Sequence, residues 1–145
     1  MMLSSTASKE ELLEKLVCEL AKQNNIKNYQ YLAQAILDRE HESSTFLPTG
    51  IAIPHARVPD VPEILLIMGV LKEGFSETPG AEKTHLIFLF FSPIKDKEFG
   101  RHLKLLARIS SIFRDPSFVK EIASVKSAEE IFSLIQHKER ENIEE

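Results

Sequence analysis

The chain has 145 residues, 43% of them apolar and 28% charged, which is the size of one domain with room for a core that needs no staples. Eighteen basic against 22 acidic side chains leave a net charge of −4, which argues against nucleic-acid binding, since phosphate contacts need clustered Lys and Arg. A single cysteine, Cys18, excludes a disulfide framework and a cysteine-based metal cluster.

Leu12, Leu13, Leu16, Val17, Leu20 and Ala21 share one face of a helix over Lys9–Lys22. Ser8 and Glu11 form a capping box at its start, and Asn24-Asn25 ends it. Cys18 falls beside the apolar stripe with no basic partner in helical reach, so it reads as a small, partly buried residue and not as a nucleophile. Tyr29, Leu32, Ala33, Ile36 and Leu37 predict a second helix from about Tyr29 to Asp38, ending in a polar cluster that runs to Thr45. Phe46-Leu47-Pro48-Thr49-Gly50 is a loop by its Pro and Gly.

Ile51-Ala52-Ile53 is a short strand stopped by Pro54, and His55 follows. Pro59 and Pro62 make Arg57–Glu63 an irregular connection. Ile64–Leu71 and Thr84–Ser92 are strands, joined by turns around Gly74, Pro79 and Gly80 with room for a short strand near Phe75. Their continuous apolarity predicts burial on both faces. The last third is helical. Phe99, Leu103, Leu106, Ile109 or Ser110, and Phe113 recur at helical spacing. Asp115-Pro116 caps a short helix bearing Phe118, Val119 and Ile122, and Ser127 with Glu130 caps one bearing Ile131, Leu134 and Ile135.

Two buried strands need helices above and below. The expected fold class is therefore α/β, a three-layer α/β/α sandwich with a small mixed sheet. Residues 1–145 read as one domain, with the charged tail 137–145 expected to fray. The first eleven residues hold no apolar h-region, and no apolar run approaches the ~20 residues that span a membrane. A cytoplasmic protein without membrane insertion is expected.

The chain holds no GxxxxGK[ST], GxGxxG, GxSxG or HExxH, so no cofactor and no metal are expected. The strongest candidate for chemistry is His55, in Gly50-Ile51-Ala52-Ile53-Pro54-His55-Ala56-Arg57. It follows a strand end, where α/β proteins place their sites; a satisfied, partly buried histidine fits that position equally well. His102 lies near the start of a helix, whose amides favour an anion, although a solvent-facing helix histidine is the plainer reading. Arg39, with Glu40 beside it, falls at a helix C-terminus, where arginine usually offsets the dipole. His41, His85 and His137 carry no such context.

The segments Arg39-Glu40, Ser44-Thr45 and Gly50-Ile51-Ala52-Ile53-Pro54-His55-Ala56-Arg57, with His102 in a downstream HLKLLARIS stretch, resemble the IIA component of the bacterial phosphotransferase system. The resemblance is to the fructose/mannitol class, which includes the nitrogen-regulatory IIA proteins, and it covers nearly the whole chain. It implies an α/β/α domain that accepts a phosphoryl group from the phosphocarrier HPr on one histidine. By that resemblance His55 is the acceptor, His102 assists, and Arg39 stabilises phosphate. Glu40, Ser44, Thr45 and Arg57 are further candidates for phosphate contact. The partner downstream is a IIB component in sugar transport, or a regulatory target. The alternative is a non-catalytic interaction module switched by phosphorylation of His55. Metal binding by His55 and His102 lacks an obvious third ligand. One domain leaves no space for a permease or IIB partner, so the group is expected to arrive and leave by docking. Pro48 departs from the glycine or alanine usual in that loop of the family, which bears on the wall of the pocket.

The physics fits such a carrier. A neutral imidazole nitrogen is nucleophilic near neutral pH. Phosphoryl transfer asks for positioned donors and not for covalent help from other groups.

Overall fold

A computed structural model describes residues 1–3, 8–59 and 61–144, with side chains for all of these except 96, 97 and 142–144. Two helices come first, α1 (Lys9–Gln23) and α2 (Tyr29–Glu42). Four strands follow: β1 (Ile51–Ala52), β2 (His55–Val58), β3 (Leu65–Phe75) and β4 (Thr84–Pro93). Three helices close the chain, α3 (Asp96–Ile112), α4 (Pro116–Ser124) and α5 (Ala128–Glu144). No helix among the described residues is long and apolar enough to cross a membrane.

β4 is the central strand. β1 and β2 pair with it in parallel along one side, and β3 pairs with it antiparallel along the other. The small mixed sheet expected from the sequence is thus present. The register is the same before and after the break between β1 and β2, with Ile51 opposite Leu86 and His55 opposite Phe90. The two strands are one path interrupted only at Ile53-Pro54. Proline has no amide to give the ladder, so the interruption falls where the bond is missing.

Two cores lie on the two faces. α1 and α2 bury Leu12, Leu13, Leu16, Leu20, Leu32 and Ile36 against Ile87, Leu89 and Phe91. The C-terminal helices bury Ile109, Ile112, Phe113, Phe118, Val119 and Ile122 against Leu86, Phe88 and Phe90. Each fully buried side chain of this kind contributes roughly 1.5–3 kcal/mol before its entropy cost. β4 feeds both cores alternately, which explains its unbroken apolar sequence.

The expected caps are present. Ser8 Oγ accepts from the Glu11 amide, Asp115 accepts from the Ser117 amide, and Ser127 Oγ accepts from the Glu129 and Glu130 amides. Gly50 holds φ at 101°, a left-handed value open to glycine, where the loop turns into β1.

Several expectations are corrected. α2 runs on to Glu42, so Arg39 and Glu40 lie in its last turn. Residues 55–58 form a strand, because the chain resumes pairing directly after Pro54. β3 reaches Phe75 and is not covered on both faces, Leu66 being 45% exposed; it is an outer strand, with β4 on one side and the Met1–Leu3 segment along the other. Over residues 137–144, where fraying is expected, α5 continues as helix with a His137–Glu141 pair along its surface; residue 145 lies outside the described residues.

Candidate active site

His55 opens β2, opposite Phe90 of β4, which in turn faces Leu66 of β3. Residues opposite one another share a face of the sheet, here the face covered by α3. The imidazole of His55 stacks on Phe90, ring centroids 5.5 Å apart. His102, in the second turn of α3, sits over the same phenyl ring at 5.0 Å and edge-on to His55 at 5.1 Å. The two histidines singled out in the sequence are therefore neighbours in space. His102 is 5% exposed, so the solvent-facing reading does not hold. The apolar stripe read through Leu103 is offset by one residue, and Leu103 is 49% exposed.

His55 Nδ1 is 2.7 Å from the carbonyl oxygen of Ile53. A carbonyl only accepts, so Nδ1 carries the proton, and a neutral ring then has its lone pair on Nε2. Burial lowers the His55 pKa below the ordinary 6.5, opposed by the hydrogen bond to Ile53 and assisted by Arg39. His102 is lowered to about 4, first by burial, then by His55, Arg57 and Arg39. Both rings are neutral at pH 7.

The Glu40 carboxylate is buried. It accepts from the amide of Thr45 at 2.8 Å and from its hydroxyl at 2.7 Å, and pairs with Lys9 at 3.0 Å. The Thr45 carbonyl accepts from the amide of Ile53. A chain of hydrogen bonds thus links α2, the loop after it and the residue that orients His55. Ser44 Oγ donates to Glu77 and accepts from the Phe46 amide. Arg39 donates to the carbonyl of Ser43 at 3.4 Å and lies near enough to both histidines to act on their charge. Arg57 donates to the Lys95 carbonyl and lies over the Phe99 ring. Of the residues picked from sequence, His55, His102, Arg39 and Arg57 converge here; Glu40, Ser44 and Thr45 are engaged with protein partners.

Pro48 takes the second position of a turn closed by the Gly50 amide on the Leu47 carbonyl, where a missing amide costs nothing. It lines a cavity of about 670 Å³ with Lys72, His85 and Lys120, and His55 is not among the lining residues. Three contributors were not singled out in the sequence: the Ile53 carbonyl, the Phe90 ring and the Ser92 hydroxyl. Only Ser92 leaves a mark in the sequence, as a hydroxyl closing an otherwise apolar buried strand.

The fold is an α/β sandwich in which a half-buried and a buried histidine lie together near two arginines. Residues 2–138 match the family described as phosphoenolpyruvate-dependent sugar phosphotransferase system, EIIA 2, and the chain belongs to that family. It is 28% identical over 129 residues to a nitrogen regulatory protein of Bradyrhizobium diazoefficiens, covering 88% of this chain and 82% of that one. It is 30% identical over 131 residues to a fructose-specific EIIABC component of Bacillus subtilis, of whose length it spans 20%. The crystal structure of nitrogen regulatory protein IIA-Ntr from Neisseria meningitidis superposes with a TM-score of 0.79 at 26% identity, covering 92% of this chain and 91% of that one. The role of the chain is that of a phosphocarrier or regulatory IIA domain.

Proposed function

We propose that His55 Nε2 accepts a phosphoryl group from the phosphohistidine of HPr. The observation that carries this reading is the Nδ1–Ile53 hydrogen bond, which leaves Nε2 as the free nucleophile. The P–N bond to HPr breaks as a new P–N bond forms at Nε2. Charge spreads over three equatorial oxygens in the transition state. Arg39 and Arg57 supply guanidinium forks for that charge, and His102 supplies a donor. Glu40 and Thr45 act indirectly, by holding the loop beside Ile53. The protein works in the cytoplasm. Its partners dock on the exposed apolar side chains around the histidines, Leu66, Ile94, Phe99 and Leu103.

The output is regulatory or leads to a IIB component. The regulatory reading is favoured by the Bradyrhizobium diazoefficiens relative, which is named for nitrogen regulation and matched over most of its length. The deciding experiment is incubation with phosphoenolpyruvate, enzyme I and HPr, followed by intact mass. One acid-labile phosphoryl group is expected, absent in His55→Ala and present in His85→Ala. A wild type that stays unlabelled beside a competent HPr overturns the carrier reading.

A further inference from the structure

Ser92 is the one polar side chain on β4 with no exposed surface at all. Its hydroxyl meets His102 Nδ1, the only hydrogen bond its side chain makes among the described residues. Ser92 lies opposite Arg57 on the face of the sheet that carries His55 and Phe90. It therefore supports His102 from beneath, at the edge of the ring turned into the protein.

The direction of that hydrogen bond follows from satisfaction. A buried hydroxyl proton without an acceptor costs ~1–3 kcal/mol. His102 Nδ1 is the only acceptor the Ser92 hydroxyl has among the described residues. If Nδ1–H donated to Ser92 instead, the hydroxyl proton would be stranded. The hydroxyl therefore donates to Nδ1, and a neutral His102 must carry its proton on Nε2. Nε2 has no protein partner among the described residues, and the ring stands edge-on to His55 at 5.1 Å.

We propose that Ser92 is a positioning residue that fixes His102 as the Nε2–H tautomer, so that an uncharged donor faces a phosphoryl oxygen carried on His55. The two histidines are then set in complementary forms: His55 protonated on Nδ1 with Nε2 bare, His102 bare on Nδ1 with Nε2 protonated. The pairing is chosen by one backbone carbonyl and one hydroxyl. A tautomer-locked neutral donor stabilises the phosphoryl oxygens without placing a third cation beside Arg39 and Arg57. It also cannot compete as a nucleophile, because its lone pair is turned inward to Ser92.

The role in transfer rests on His55 being the phosphoryl acceptor; the tautomer does not. The test has two arms. Nitrogen-15 spectra of the histidine rings at pH 7.5 read the tautomers in the unphosphorylated protein. The wild type should show His102 with Nε2 protonated and Nδ1 bare, and Ser92→Ala should shift His102 toward a mixture while leaving His55 unchanged. Phosphoryl transfer from HPr should slow in Ser92→Ala by roughly two- to tenfold, the worth of one neutral hydrogen bond, with the KM for phosphorylated HPr unchanged. An Nδ1–H tautomer in the wild type overturns the proposal whether or not Ser92→Ala folds. So does a Ser92→Ala protein with unaltered tautomer and rate. A wild type that takes no phosphoryl group but shows the Nε2–H form removes the carrier reading and the role in transfer, and keeps the Ser92–His102 assignment.

Discussion

His55 donates its Nδ1 proton to the carbonyl of Ile53, two residues earlier in the chain, at 2.7 Å. That carbonyl is left to the ring because Ile53 turns its backbone polar groups away from β4, its amide bonding the carbonyl of Thr45 on the opposite side. β1 pairs with β4 as far as Ala52, and the next acceptor used by β4 is the carbonyl of Pro54, bound by the amide of Phe90. Pro54 stands between that acceptor and the ring it orients, and its fixed φ sets the two relative to one another.

Pro54→Ala restores an amide and an easier continuation of the strand. It is expected to cost about 0.4–1 kcal/mol through added freedom of the unfolded chain. Phosphoryl acceptance should fall by roughly two- to tenfold as the fixed φ that sets the Ile53 carbonyl against the His55 ring is relaxed. Urea unfolding beside a single-turnover transfer assay checks both. An unaltered rate would show that His55 is oriented without the proline.

Glu40 is a buried carboxylate with three partners. Burial alone raises its pKa, but the hydroxyl and amide of Thr45 and the ammonium of Lys9 outweigh that and hold it below 4.5. Its folded value is thus depressed, so its stabilisation is present above the unfolded pKa and is lost as pH falls through the folded one. Glu40→Gln is expected to cost about 2 kcal/mol at pH 7, the scale of a charge-assisted hydrogen bond. Urea midpoints of wild type and variant should converge as pH falls through the depressed pKa of Glu40. A gap that stays constant with pH would mean that the charge of Glu40 contributes nothing.

The pKa of His102 falls from 6.5 to about 4. Between those values the unfolded chain binds a proton that the folded chain refuses, so stability declines as pH drops from 7.5 toward 4. At pH 5 this group alone should remove roughly 2 kcal/mol relative to pH 7.5. His102→Gln, which cannot titrate, isolates it: the variant should lose that much less stability than the wild type over the same interval. Equal losses would place His102 in a solvated environment.

The order of the elements was legible because each buried face repeats in the sequence at its own period, and the caps of α1, α4 and α5 are local signals. The break between β1 and β2 was half legible. Pro54 marks where pairing fails, but nothing local says that it resumes one residue later, since that depends on Phe90 in a distant strand. β3 looked doubly buried because an apolar run does not tell how far the helices extend over each face of its strand. His55 stood out through its motif. His102 stood out as a candidate but its burial did not, because the faces carrying Leu103 and His102 differ by one residue on the helix, and the buried one was chosen by Phe90 and Ser92 beneath it. The partners of Glu40 were invisible because a carboxylate followed by a hydroxyl five residues on is ordinary surface sequence.

Exposed apolar side chains lie on the sheet and helix that carry the histidines. Phe99 is 46% exposed, with its ring 6.5 Å from that of His102, and Leu103 follows one turn later at 49%. Leu66 lies in the same cross-strand row as Phe90 and His55. Leu103 packs little of itself into the core, so Leu103→Ser should change stability by no more than about 0.5 kcal/mol. Loss of an apolar anchor from a docking surface should raise the KM for phosphorylated HPr by about tenfold, while leaving the rate at saturation in place, because the reacting groups are untouched. Titrating phosphorylated HPr against fixed protein separates the two quantities. A fall in the saturated rate with unchanged KM would mean that Leu103 supports His102 and not the partner, and no change in either would move the docking surface away from this face of α3.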